Sequence, residues 1–132
     1  MKYFLDSSDV NEVEYAFQNF GIDGVTTNPR QLKVIGKKES EVMKELADWT
    51  SGYGFTDSGQ FPVSIEVDPN LNQWEAIYQE AKRIAGQSPC FIVKIPCTEQ
   101  GLIAARKLEK EGIRTNVTLV FSRSQAIAVA RL

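Results

Sequence analysis

Residues 91–99 read Phe-Ile-Val-Lys-Ile-Pro-Cys-Thr-Glu, and this stretch decides the fold. Residues 91–95 form a β-rich apolar run interrupted by a single lysine, and Thr98 before Glu99 marks the start of a helix. Leu102, Ala105 and Leu108 then recur at helical spacing, and Gly112 stops the helix. A strand that leads directly into an amphipathic helix is the first half of a parallel crossover.

Outward from this stretch the same alternation recurs until five strand-helix units are counted. Strands are expected at Lys2–Asp6, about Asp23–Thr27, Pro62–Val67, Phe91–Ile95 and Arg114–Val120. Val10, Val13, Phe17 and Phe20 share one helical face, as do Leu71, Trp74, Tyr78, Ala81 and Ala85. Asp9 with Glu12 three residues on, and Asn28 before Pro29, mark two more helix starts, while Gly86 stops the third helix. Ser51 to Gln60, rich in Gly and Ser, reads as a loose loop entering the third strand. The expectation is one domain over residues 1–132, α/β in class and of TIM (β/α)8-barrel type, with only about the first five β/α units present. At about 26 residues per unit, eight units need about 210 residues, near the lower size of a closed barrel. The helical residues Gln125 to Leu132 end without a cap, where a sixth strand should follow. Open sheet edges are liabilities, so the remaining part is expected to have been lost, or other chains to cover those edges as a homo-oligomer.

Composition removes several function classes. A net charge of −2, from 15 basic and 17 acidic residues spread along the chain, leaves no electrostatic footprint for nucleic acid. No apolar run approaches a membrane span or a signal core, so a cytoplasmic protein is expected. Cys90 and Cys97 match no zinc spacing and read as buried free thiols. The chain contains no histidine, which excludes within it Ser-His-Asp and Cys-His nucleophile pairs and His-ligated metals. Catalysis here has to rest on carboxylates, Lys, Tyr or water, and no metal or organic cofactor is expected.

Side chains alternate across a strand, so the two faces can be read by parity. With Val63, Ile65, Val67, Phe91, Val93, Ile95, Val117 and Leu119 against the helices, the axial set is Asp6, Thr26, Asn28, Glu66, Lys94, Asn116 and Thr118. All seven lie toward the C-terminal ends of their strands, where barrel enzymes place their chemistry. Each also has a plain structural reading. Asn28 reads equally as a helix cap or as a ligand contact, Asp6 and Glu66 alone read as turn or surface carboxylates, and Asn116 and Thr118 alone say little. Lys94 differs, because a lysine among Phe91, Ile92, Val93 and Ile95 must find a carboxylate or give up its proton. It is either half of a structural ion pair or a candidate Schiff-base nucleophile whose iminium stabilises the carbanion left when a neighbouring carbon-carbon bond breaks. Proton transfers could then run through Glu66 with a water held by Thr118, or through Asp6.

Phe-Leu-Asp-Ser at 4–7, Gly-Val-Thr-Thr-Asn-Pro at 24–29, Ser-Ile-Glu-Val at 64–67, Val-Lys-Ile-Pro at 93–96 and Thr-Asn-Val-Thr-Leu-Val-Phe-Ser at 115–122 resemble the transaldolase family, small-subunit transaldolases and fructose 6-phosphate aldolases included. The resemblance runs through essentially the whole chain in order. It implies transfer of a dihydroxyacetone unit between a ketose phosphate and an aldose phosphate, chemistry of the pentose phosphate pathway, with sugar phosphates as substrates. It further implies that Lys94 forms the Schiff base and that Asp6 takes the proton from the hydroxyl at the cleaved bond. Glu66 and Thr118 would hold the water, Asn28 and Asn116 would bind substrate hydroxyls, and Thr26 would support the rim. Glu66, where the aldolases carry glutamine, favours the transaldolase side. A carbon-carbon lyase releasing the fragment to water is the alternative activity, and a non-catalytic fragment acting in assembly is the alternative of another class. The family's phosphate-binding Arg and Ser lie on later strands than these five, and Lys33, Lys37, Lys38 and Arg123 read as solvated surface.

Overall fold

The computed structural model describes residues 1–132. Strands β1 (Phe4–Asp6), β2 (Gly24–Thr26), β3 (Val63–Glu66), β4 (Phe91–Pro96) and β5 (Thr115–Thr118) follow one another in a single sheet in chain order. The pairs β1–β2, β2–β3 and β4–β5 are parallel, and every crossover carries helix: α1 (Val10–Phe20), α2 (Pro29–Ile35), α3 (Glu39–Gly52), α4 (Trp74–Ala85) and α5 (Glu99–Lys110). A last helix, α6 (Arg123–Val129), follows β5. β1, β2, β3 and β5 are shorter than expected, whereas β4 runs one residue beyond Ile95, to Pro96. At β5 the cause is visible in the backbone: Leu119 takes a left-handed φ of 62°, which ends the ladder before Val120. No helix is long and apolar enough to cross a membrane.

The chain resolves into two compact units, residues 1–65 with 87–91, and residues 66–86 with 92–132. In the first, Val13, Val25, Val42, Met43, Leu46, Phe61 and Val63 are fully buried. Glycine is required at 24, since a Cβ there would lie 2.7 Å from the Pro62 carbonyl oxygen and against the Phe4 ring. The β2–β3 crossover contains two helices, where the sequence marks only the one beginning after Asn28. Gly36, at φ 70°, ends the first by accepting a left-handed turn, and α3 starts three residues later. The α1 face also differs from expectation. Val13 and Ala16 are buried, while Phe20 is 70% exposed at the helix end, where Gly21 reverses the chain.

Of the loose loop expected at Ser51 to Gln60, Ser51 and Gly52 are the last residues of α3, and the rest is held by packed rings. Phe17 packs edge-on against Trp49, Tyr53, Phe55 and Phe61, with centroids 4.8–6.0 Å apart. The Trp49 indole N–H and the Tyr53 hydroxyl both donate to the Glu14 carboxylate, at 2.6 and 2.8 Å. Five packed aromatic rings, two of them bonded to one carboxylate, outweigh the local preference of glycine and serine for disorder.

In the second unit α4 packs on α5. The buried face of α4 is Ile77, Ala81 and Ile84, so the expected stripe of Trp74, Tyr78, Ala81 and Ala85 is rotated from the true one, and Leu71 lies before the helix. The rotation has a physical reason: Trp74 and Tyr78 are long amphipathic rings that sit at the margin of the interface, where Lys107 and Lys82 stand over their faces at 4.5 and 5.2 Å. On α5, Gly101, Ala104, Ala105 and Leu108 are buried, and Leu102 only partly so. Its Thr98 cap accepts from the Gly101 N–H at 3.0 Å. Helix α5 itself ends at Lys110 with Glu111 as cap, and Gly112 follows at φ 79°.

Two predictions follow from this packing. A Cβ at position 101 would collide with the Pro96 carbonyl oxygen, so Gly101→Ala should destabilise the chain by about 2 kcal/mol in urea unfolding, whereas Gly52→Ala, where a Cβ meets nothing within 4 Å, should be neutral or stabilising. Burial pushes the Cys90 thiol up, opposed by hydrogen bonds from Thr50 and Ser88. The thiolate is the reactive form, so iodoacetamide near neutral pH should spare Cys90 in the native chain and label it in urea, as read by peptide mass mapping.

Candidate functional site

The C-terminal ends of β3 and β4 bring one amine to one carboxylate. Lys94 Nζ lies 3.4 Å from Glu66 Oε2, with side chains only 13% and 10% exposed. The two strands are tied at that level by the Val67 N–H, which donates to the Lys94 carbonyl at 3.1 Å. Lys94 therefore leaves its strand on the side opposite the fully buried Val93 and Ile95, as parity requires. Carrying two charges into so dry a place is costly, and each makes the other tolerable.

Asn116 stands in register with Lys94, and Thr118 with Pro96, so both lie on the Lys94 side of β5. The Thr118 carbonyl accepts from the Cys97 N–H at 2.8 Å, which pins the end of β5 to the turn that follows β4. Thr118 is half-buried and Asn116 is exposed.

The other sequence-derived residues lie in the first unit. Asp6, Thr26 and Ser64 are in register across β1, β2 and β3, with Asp6 exposed, Thr26 half-buried and Ser64 buried. The Ser7 N–H donates to the Thr26 carbonyl at 3.1 Å, and the Thr27 hydroxyl to the Ser64 carbonyl at 2.9 Å, locking the strand ends together. Asn28 caps α2 in a reciprocal box. Its Oδ1 accepts from the Gln31 N–H at 3.1 Å, and Gln31 Oε1 accepts from the Asn28 N–H at 3.2 Å. Glu12, expected to pair with the Asp9 cap, instead accepts from the Ser7 hydroxyl, while the Asp9 side chain accepts from the backbone N–H and the side-chain amide of Asn11. A cavity of about 360 Å³ opens here, lined by Asp6, Ser7, Glu12, Asn28, Arg30 and Gln31 among others.

Parity reading did not single out Ser64, Arg30 or Gln31. Ser64 was accessible to it, since it shares a face with Glu66. Gln31 carried the Asn-x-x-Gln signature of a capping box. Arg30, in the first turn of a short helix, has no sequence signal that separates it from ordinary surface. Lys37 pairs with Glu45 at 2.7 Å and is held above the usual lysine range by that hydrogen bond, and Lys33, Lys38 and Arg123 are exposed, in keeping with a surface reading of all four.

Parallel β/α units with an amine and carboxylates at the C-terminal strand ends define a (β/α)8-barrel type of enzyme domain, represented here by five of its units. The family model described as transaldolase/fructose-6-phosphate aldolase matches residues 3–132, and the chain belongs to that family of transaldolases and aldolases. It is 49% identical over 132 residues to a protein of Priestia aryabhattai named 6-deoxy-6-sulfo-D-fructose transaldolase, covering 100% of this chain and 56% of that protein. It is 42% identical over 131 residues to a probable transaldolase of Streptococcus agalactiae and 40% identical over 131 residues to one of Bdellovibrio bacteriovorus, each covering 99% of this chain and 56% of the relative. The chain thus spans just over half the length of these relatives.

Glu66→Ala should cost on the order of 3 kcal/mol in urea unfolding, because it removes the carboxylate beside an ammonium ion in a nearly dry site. The double variant Glu66→Leu with Lys94→Met should recover most of that loss, so that the cycle reports a strong coupling between the two positions.

Proposed function

We propose that this chain carries the reacting centre of a transaldolase, in which Lys94 forms a Schiff base with a ketose and a dihydroxyacetone unit passes to an aldose. Nζ of Lys94 adds to the ketone carbon, and the carbinolamine loses water to give an iminium. Asp6 takes the proton from the hydroxyl on the carbon beyond the bond to be cleaved. That carbon-carbon bond then breaks, its electron pair moving into the iminium to leave an enamine, while the departing fragment becomes an aldehyde. The enamine attacks the acceptor aldehyde by the reverse sequence, Asp6 returning the proton, and water frees the new ketose. Glu66, with Thr118, holds the water that leaves and re-enters and moves its protons. Asn116 and Asn28 hold substrate hydroxyls, and Thr26 supports the strand end.

The pairing of Lys94 with Glu66 at 3.4 Å carries this reading. A carboxylate at that distance is a ready acceptor for the proton an ammonium must lose before it can attack. Family membership supports the reaction class. The ketose carries a terminal anion, for which phosphate is one reading. The 49% identity to a 6-deoxy-6-sulfo-D-fructose transaldolase favours a second, in which the anion is a sulfonate.

Borohydride reduction in the presence of dihydroxyacetone should add a reduced three-carbon unit to Lys94, located by peptide mass mapping. Lys94→Arg should abolish the adduct, and Glu66→Gln should slow its formation by about 10²-fold or more. An adduct on another lysine would remove Lys94 from its role.

A further inference from the structure

Beyond β5 a chain of hydrogen bonds runs through one side chain, that of Gln125. Its Oε1 accepts from the Phe121 and Ser122 N–H groups at 2.8 and 3.0 Å, which closes the capping box of α6. With that oxygen turned to two N–H donors, the NH2 end of the amide faces the other way, and it donates to the Cys97 carbonyl at 3.3 Å. Cys97 in turn donates its own N–H to the Thr118 carbonyl at 2.8 Å. The turn after β4 is thereby tied to both ends of the segment between β5 and α6, to Thr118 at its start and, through Gln125, to Phe121 and Ser122 at its end.

Apolar packing does not hold that segment. Leu119, Val120 and Phe121 are all exposed, and α6 buries none of its residues. Leu119 is also the one residue other than glycine with a positive φ, at 62°. A left-handed backbone crowds the leucine Cβ against a carbonyl oxygen, and such strain persists only where the surroundings impose it. Within α6 only Gln125 and Val129 are half-buried, and Gln125 is the one of the two whose side chain can form hydrogen bonds.

The geometry points to Gln125 as a positioning residue that acts through Thr118, by holding the strained turn at Leu119 against the Cys97 carbonyl and so fixing where β5 ends. Thr118 is in register with Pro96, two residues beyond Lys94. A turn free to relax at Leu119 would carry the neighbouring Thr118 with it. This rests on the proposed role of Thr118, which with Glu66 holds the water that leaves and re-enters as the iminium forms and is hydrolysed. The bonds of Gln125 itself run to backbone groups and not to the reacting atoms.

Gln125→Glu separates the two ends of the amide. A glutamate at the third position of a helix still closes a capping box, so the bonds from Phe121 and Ser122 remain, while an oxygen that cannot donate replaces the NH2 group facing Cys97. In amide hydrogen exchange Cys97 should then exchange about tenfold faster, with Ser122 unchanged. When dihydroxyacetone is trapped on Lys94 with borohydride, the labelling rate should fall about tenfold, at an unchanged half-saturating concentration. Combined with Thr118→Ala, Gln125→Glu should label no more slowly than Thr118→Ala alone, because both changes act at one place. An unchanged rate in either single variant, a loss that appears only in the half-saturating concentration, or losses that multiply in the combined variant overturn the assignment. If the unsubstituted chain is not labelled at Lys94, the Schiff-base reading fails instead, and hydrogen exchange decides on its own whether Gln125 holds the end of β5. Faster exchange at Cys97 with Ser122 still protected supports that role, and unaltered exchange at Cys97 overturns it.

Discussion

An ammonium ion and a carboxylate held 3.4 Å apart at the ends of two neighbouring strands, both nearly out of water, set the terms for the rest of this molecule. Neither charge would be tolerated there alone, so the two strand ends that carry them must arrive at the same level. The backbone meets that requirement with the Val67 to Lys94 hydrogen bond and, beyond it, with the turn from Pro96 through the Thr98 cap into α5. Gly101 is part of the same constraint, since only a residue without a side chain lets α5 start so close to the strand end.

A parallel strand delivers its last polar residue to a rim because the chain must leave the sheet there and begin a helix. Capping chemistry and site chemistry therefore fall on the same few residues. Asn28 illustrates the capping half of this, since the side-chain oxygen that closes the box on α2 also fixes which way its amide faces. The same economy holds for Ser7, whose hydroxyl neutralises the hydrogen-bonding demand of Glu12 and whose N–H extends the β1–β2 ladder.

Legibility from sequence followed the range of the interactions involved. Period-two alternation in short strands placed Lys94 and Glu66 on one face, and capping patterns located the starts of α1, α2 and α5, because both depend on neighbours a few residues apart. Helix faces were less legible. On α4, Trp74 and Tyr78 look apolar, yet their polar edges and the lysines over their rings hold them at the margin, so Ile77 and Ile84 fill the core instead. The stretch at 53–61 reads as flexible by composition and is fixed by rings contributed from α1 and α3, contacts more than 30 residues apart in sequence.

What the sequence alone determined was the α/β repeat, the face on which each strand carries its polar residues, and the absence of histidine from the chain. These properties are local or compositional. Only the tertiary structure decided that Lys94 meets Glu66, that Glu12 turns to Ser7 and not to the helix start, and that Arg30 shares a cavity with Asp6 and Asn28. Such pairings depend on register between strands and on where each crossover returns, and those distances are set by packing across the sheet, where no periodicity along one strand can record them.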